Sequence, residues 1–238
     1  MSALCGESYL SWPAPPVAPV REQRSAPASA GDVHFPVNTP TPAITDLRAL
    51  RRQLRAARRA VPAAQRRNAA RAIARIASQR HWLRPGRRIA LFLSMPEEID
   101  TSVLLQRVRQ RGCLVYVPRI TNQRRNNMQF LPLTGSMGRG SFGISEPTGG
   151  KPLRANHFDL IFMPLVGFDT RGNRIGMGRG YYDRALSFRH RRQHGGSPLL
   201  VGLAYDCQQV PALPVQTHDV PLDAILTPSG LRRFTRNT

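Results

Sequence analysis

Cysteine is scarce in this 238-residue chain: Cys5, Cys113 and Cys207 stand far apart and never in C-x-x-C spacing. That excludes a disulfide framework, gives no zinc knuckle, and leaves thiols of the buried or incidental kind. Long apolar runs are missing too. Nothing approaches the roughly 20 residues that a membrane-spanning helix needs, and the first residues lack the apolar stretch, about 7–15 residues long, of a secretory signal. A soluble, cytoplasmic protein is therefore expected. Acidic residues are few, 14 against 35 basic ones, for a formal net charge of +21. Lysine is nearly absent, Lys151 being the single one, so the positive charge is carried by arginine. G-x-x-x-x-G-K-[ST] does not occur, the glycine run at 176–180 is not the dinucleotide G-x-G-x-x-G because position 181 is Tyr, and no internal repeat is visible.

What remains is ordinary for one globular domain, with 41% hydrophobic residues. Residues 1–42 hold eight of the 21 prolines, with a polyproline-like run from Pro13 to Pro19. They read as a disordered extension without chemistry, an SH3-type ligand being a purely compositional alternative. From Ala43 the pattern becomes periodic. Ile44, Leu47, Leu50 and Leu54 share one helical face, and a second helix starts near Pro62 and runs through Ile73 and Ile76. Arginines fill the other faces, as a nucleic-acid grip or as a solvated surface. No stacking aromatics interleave with them, which favours the solvated surface.

Strands follow. Arg88–Leu93 and Cys113–Val117 flank a helix capped by Asp100 or Thr101 and ended by Gly112, a βαβ unit that implies a parallel pair. Further strands are expected at Met128–Leu131, Phe158–Met163, Leu199–Ala204 and Asp223–Leu226. The stretch 133–156 reads as mostly loop, and a helix is expected from Gly180 to about Arg189. One α/β domain over 43–230 and a basic tail over 231–238 complete the plan.

The chemistry concentrates between Phe168 and Arg184. Gly176, Gly178 and Gly180 remove three Cβ atoms in five residues, so main-chain N–H groups can approach a ligand closely. A helix start just beyond adds unpaired N–H groups, Arg174 and Arg179 add charge, and Asp183 is placed to hold Mg²⁺ against phosphates. Tyr181 and Tyr182 are either core or a surface for a flat heteroaromatic ligand.

This stretch, NRIGMGRGYYDR, resembles the hallmark of the 5-formyltetrahydrofolate cyclo-ligase family, with Ile175 in place of the usual leucine. Similar blocks stand in order on either side: FLSMPEEIDT at 92–101, VYVPRI at 115–120, FGISEP at 142–147, FDLIFMPLVGFD at 158–169, and 202–228. The resemblance implies a three-layer α/β/α fold with a largely parallel sheet. It implies conversion of 5-formyltetrahydrofolate to 5,10-methenyltetrahydrofolate with ATP and Mg²⁺, releasing ADP and phosphate. By the same resemblance ATP lies on Arg174, Ile175, Gly176, Met177, Gly178, Arg179, Gly180, Tyr181 and Tyr182. Arg174 and Tyr182 are the expected catalytic groups, Asp183 and Asp219 the metal ligands, and Leu93, Glu98, Met128 and Tyr181 the folate contacts. The family's opening helix carries a lysine and an arginine that reach the nucleotide. Arg51 matches the arginine, Leu47 stands at the lysine, and Arg48 is the nearest basic residue to replace it.

Two other readings stay open at this level: an RNA-binding protein that keeps the fold, and a related α/β enzyme with another substrate. Intact Gly-x-Gly-x-Gly, Tyr-Tyr-Asp and His-Asp elements, with Glu98 retained, favour the cyclo-ligase. The partners expected are ATP and a folate, which the positive charge would suit in polyglutamylated form. The chain is expected to be a monomer.

Overall fold

The computed structural model describes residues 46–122, 124–134, 137–140, 145–191 and 198–235. The proline-rich extension, residues 142–144 of the FGISEP block and the last three residues of the expected tail lie outside them.

Helix α1 (Leu47–Ala60) begins where Asp46 Oδ1 accepts from the Arg48 and Ala49 N–H groups at 2.7 and 3.0 Å. Helix α2 (Ala63–Ser78) starts directly after Pro62 and buries Ile73, Ala74, Ile76 and Ala77. The expected βαβ unit is present: β1 (Arg88–Ala90) and β2 (Leu114–Asn122) are parallel and joined through α3 (Ser102–Gln110). Asp100 supplies the cap, accepting from the Ser102 N–H at 2.8 Å, while the Thr101 hydroxyl donates to the Phe92 carbonyl. That second bond draws the chain out of the sheet early, so β1 ends at Ala90 and Leu93 opens a loop.

Strands β3 (Asn127–Pro132), β6 (Leu160–Met163), β9 (Leu199–Leu203), β10 (Ala224–Thr227) and β11 (Gly230–Arg233) complete a seven-stranded sheet. Its order is β11-β10-β9-β6-β1-β2-β3. The five inner strands are parallel, and the two edges, β3 and β11, are antiparallel to their neighbours. The inner strands are apolar throughout because both faces are covered. Val201 and Leu203 join the core that includes α2 and α3, whereas Leu200 and Ala204 join the opposite core around Phe130, Phe158 and Leu186. Side chains of period two thus feed two helical layers. The fold class is α/β with a mixed, mostly parallel sheet.

Three local expectations are corrected. The 133–156 stretch, expected as mostly loop, contains a short antiparallel hairpin, β4 (Met137–Arg139) with β5 (Ser145–Pro147). The helix from Gly180 is only five residues, α4 (Tyr181–Ala185), followed by a 3-10 segment over Ser187–Arg191. The tightening carries Leu186 into the core and brings Arg189 to Asp223 at 2.8 Å. Residues 231–233, expected as tail, form the edge strand β11, with Leu231 packed on the core and the Phe234 N–H bonded to the Asp223 carbonyl.

Candidate active site

The glycine stretch is presented by a two-stranded ribbon, β7 (Gly167–Phe168) against β8 (Arg174–Ile175). Its turn is organised by Asp169, which has no exposed surface. Asp169 Oδ1 accepts from the Arg171 and Asn173 N–H groups, both at 2.9 Å, and Oδ2 accepts from Asn173 Nδ2 at 2.8 Å and the Leu213 N–H at 3.1 Å. Four donors on one buried carboxylate fix where β8 ends and the glycine loop begins.

Past Ile175 the loop has few internal bonds. Among the described residues, no N–H from Gly176 to Gly180 donates to another protein atom. Gly178 and Gly180 adopt φ of +89° and +65°, the left-handed region that other residues enter only with strain. Arginines hold the loop by its carbonyls: Arg51 Nε donates to Gly176 at 2.9 Å and Arg184 Nη2 to Arg179 at 2.7 Å. The outcome is a wall of unused donors inside a frame of positive charge. With α4 so short, its dipole adds little, and anion affinity here rests on the bare main chain and on arginine.

Behind the loop, Arg174 Nη2 pairs with Asp183 Oδ1 at 2.5 Å, both side chains largely buried. The Val220 N–H also reaches Asp183 Oδ1, at 3.4 Å, so the segment carrying Asp219 lies directly against Asp183. Asp219 Oδ2 accepts from the Gln216 N–H at 2.8 Å. Asp183 Oδ2 takes no hydrogen bond among the described residues and lies 4.0 Å from the place a Cβ on Gly180 would occupy. Two acids from distant parts of the chain therefore line one cavity, with the main chain next to Asp219 against Asp183. No cluster of three metal-ligating side chains is found among the described residues. Two carboxylates fit Mg²⁺ shared with phosphates, which keeps much of its shell for water and phosphate oxygens.

A cavity of about 790 Å³ joins this loop to a second, more apolar wall. Every expected site residue except Arg48 lines it: Arg51, Leu93, Glu98, Met128, the whole run Arg174–Asp183, and Asp219. Arg48 is exposed, and Leu47 takes the place on the cavity wall. The helical register explains this, because Leu47 and Arg51 are four residues apart on one face and Arg48 is turned about 100° away.

Glu98, its side chain largely buried, stands in the second wall. Its Oε2 accepts from the Met95 N–H at 3.0 Å, and its main-chain carbonyl accepts from the Tyr205 hydroxyl at 3.2 Å. Burial pushes the Glu98 carboxyl above the ordinary carboxylate range, with the Met95 N–H and Arg58 opposing. The Tyr182 hydroxyl is likewise pushed up by burial and then by the Glu98 charge, Arg174 opposing, so it stays protonated at neutral pH. Tyr182 also packs edge-on to Phe130, which makes it part of both core and cavity.

Several site features escaped the sequence reading. Glu97 binds Arg55, Arg58 and Arg59 at 2.9, 2.6 and 3.1 Å. Arg66 reaches the Val61, Pro96, Arg58 and Arg59 carbonyls. Much of the arginine expected on a solvated or RNA-gripping surface is thus spent within the molecule. Glu146 on β5, Asn126 and His190 also line the cavity. Only the adjacent Glu97-Glu98 pair in FLSMPEEIDT gave a signal of this, and a pair of acids does not reveal its partners.

A sequence model of the 5-formyltetrahydrofolate cyclo-ligase family matches residues 43–228. The 5-formyltetrahydrofolate cyclo-ligase of Haemophilus influenzae is 41% identical over 148 residues, which cover 60% of this chain and 76% of that protein. The mouse enzyme of the same name is 36% identical over 149 residues, 59% of this chain and 72% of its own. The NMR structure of Aquifex aeolicus 5,10-methenyltetrahydrofolate synthetase superposes with a TM-score of 0.68 at 27% identity, covering 80% of this chain and 93% of that one. With the family's sequence pattern running through both walls of one cavity, the chain belongs to the 5-formyltetrahydrofolate cyclo-ligase family.

Proposed function

We propose that the cavity closes 5-formyltetrahydrofolate to 5,10-methenyltetrahydrofolate at the expense of ATP, through a phosphorylated formyl group. The phosphates lie on residues 174–182, the metal at Asp183 and Asp219, and the folate against Leu93, Glu98, Met128 and Tyr181. One observation carries this reading: five consecutive N–H groups without a protein acceptor among the described residues belong to a loop that lines the cavity, which also holds the largely buried Glu98 carboxylate. Polyphosphate needs the first, and a pterin ring, rich in N–H donors, needs the second.

The chemistry asks for positioning and charge, which these residues supply. The formyl oxygen attacks the γ-phosphorus of ATP, and ADP departs with the electrons of the broken P–O bond. N10 then adds to the activated carbon and gives up its proton, the C–O bond breaks, and phosphate leaves. No protein nucleophile is needed. Arg174 Nη2 is held by Asp183, which orients the rest of its guanidinium toward the loop, where Nη1 lies 3.9 Å from the Cβ position of Gly176. Tyr182, held protonated, acts as a hydrogen-bond donor rather than a base. Mg²⁺, when bound, would neutralise charge on the phosphates between Asp183 and Asp219.

Purified protein mixed with 5-formyltetrahydrofolate, ATP and Mg²⁺ should develop the near-UV absorbance of the methenyl product, and should fail to do so without ATP or without Mg²⁺. Folded protein that stays inert overturns the reading. The excess of positive charge suits a polyglutamylated substrate; kcat/KM at low salt that ignores tail length would remove that part. No helix among the described residues is long and apolar enough to cross a membrane, and the proposal takes the enzyme as a cytoplasmic monomer.

A further inference from the structure

We infer that Arg58 and Glu97 form a positioning pair that holds the Glu98 carboxylate for the folate, so that helix α1 sets folate affinity separately from nucleotide affinity. This rests on the function proposed above. Arg58, in the last turn of α1, is 1% exposed, an unusual state for an arginine. Its Nη2 donates to Glu97 at 2.6 Å and its Nη1 to the Leu165 carbonyl at 3.2 Å, while the same Nη1 lies 3.9 Å from Glu98 Oε1. Its Nε has no partner among the described residues. An incompletely satisfied buried cation does little for stability compared with an apolar residue of the same shape, so its value lies in what it specifies.

What it specifies is the loop after β1. Glu97 is fastened to α1 by three arginines, and Glu98 is the next residue. On its far side the loop is held by the Tyr205 hydroxyl at the Glu98 carbonyl, and within itself by a bond from the Glu98 N–H to the Met95 carbonyl. The carboxylate thus reaches the cavity from a turn fixed at both ends, next to Leu93 and Leu165. Seven residues earlier on α1, Arg51 holds the glycine loop instead. One helix therefore touches both halves of the site through different side chains.

The charged and titratable groups around Glu98 are Arg58 and Arg55 from α1, Glu97 from its own loop, Tyr182 from α4 with Arg174 beyond it, and the Tyr205 hydroxyl. Arg58 favours the ionised carboxylate and Glu97 disfavours it. The two partners can thus be separated by sign.

The test uses the full chain, with calorimetric binding of 5-formyltetrahydrofolate and, separately, of a non-hydrolysable ATP analogue with Mg²⁺, across about pH 5 to 8. In Arg58→Met the folate Kd should rise about tenfold, the loss of a charge-assisted buried contact, while the nucleotide Kd stays within about twofold. The acid limb of folate binding should move to higher pH in Arg58→Met, stay in place in Arg58→Lys, and move to lower pH in Glu97→Gln. Should Arg58→Met not fold, the other two variants decide. Limbs that do not move, or folate and nucleotide affinities that fall in parallel, overturn the inference and leave Arg58 a structural residue. Wild-type protein that does not bind 5-formyltetrahydrofolate overturns the functional reading instead.

Discussion

At the end of the cavity proposed for the nucleotide the wall is the loop 176–180, whose N–H groups donate to no other protein atom among the described residues. At the end proposed for the folate stands the largely buried Glu98 carboxylate, whose loop is clamped from α1 and from Tyr205. The first device is local: a dozen consecutive residues carry it, and its needs are small side chains and left-handed φ. The second is assembled from elements up to 107 residues apart, Tyr205 against Glu98. A site of the first kind is damaged by adding atoms, and one of the second kind by removing a partner.

That contrast can be broken most severely at Arg174, which lines the end proposed for the nucleotide and is paired with Asp183. Arg174→Ala should lower kcat/KM by about 10²–10³, the range for removing one preorganised donor from a charge-developing centre, as read by the methenyl absorbance assay. Next comes Glu98→Gln. The wild-type carboxyl titrates above the ordinary range, so folate binding should fall as pH drops through that raised value, where the proton-free acceptor is lost. The glutamine variant should bind about tenfold more weakly and show no acid limb, with nucleotide affinity unchanged. Gly178→Ala should do the reverse. At φ of +89°, with the new Cβ 3.6 Å from the Arg51 guanidinium, it strains the loop by about 1–2 kcal/mol and should raise the ATP KM about tenfold. Folate Kd should not move. Arg48→Ala is the smallest effect, with the ATP KM changed less than about twofold because surface substitutions away from a site are nearly neutral.

The same contrast explains what was legible in advance. The glycine run, the Tyr-Tyr-Asp that follows it and the apolar inner strands are short-range patterns, and each lies where its spacing placed it. Asp169 was visible as a residue but not as the centre of a four-donor turn, because one of those donors is Leu213. Arg58 looked like one more surface arginine, since charge composition does not say which cation a fold buries. The hairpin at 137–147 was hidden by its glycines, and the edge strand β11 by its two exposed arginines, Arg232 and Arg233. At position 48 the match by residue type pointed to Arg48, while the 3.6-residue helical period selects Leu47 and Arg51 for the cavity wall.

The account depends most on the two ends acting together, ATP being consumed only to close the folate ring. Counting ADP, phosphate and methenyl product released by purified protein in one reaction tests this. The account predicts equal amounts of all three, and no ADP when the folate is omitted. ADP formed without methenyl product, or methenyl product formed without ADP, would contradict it.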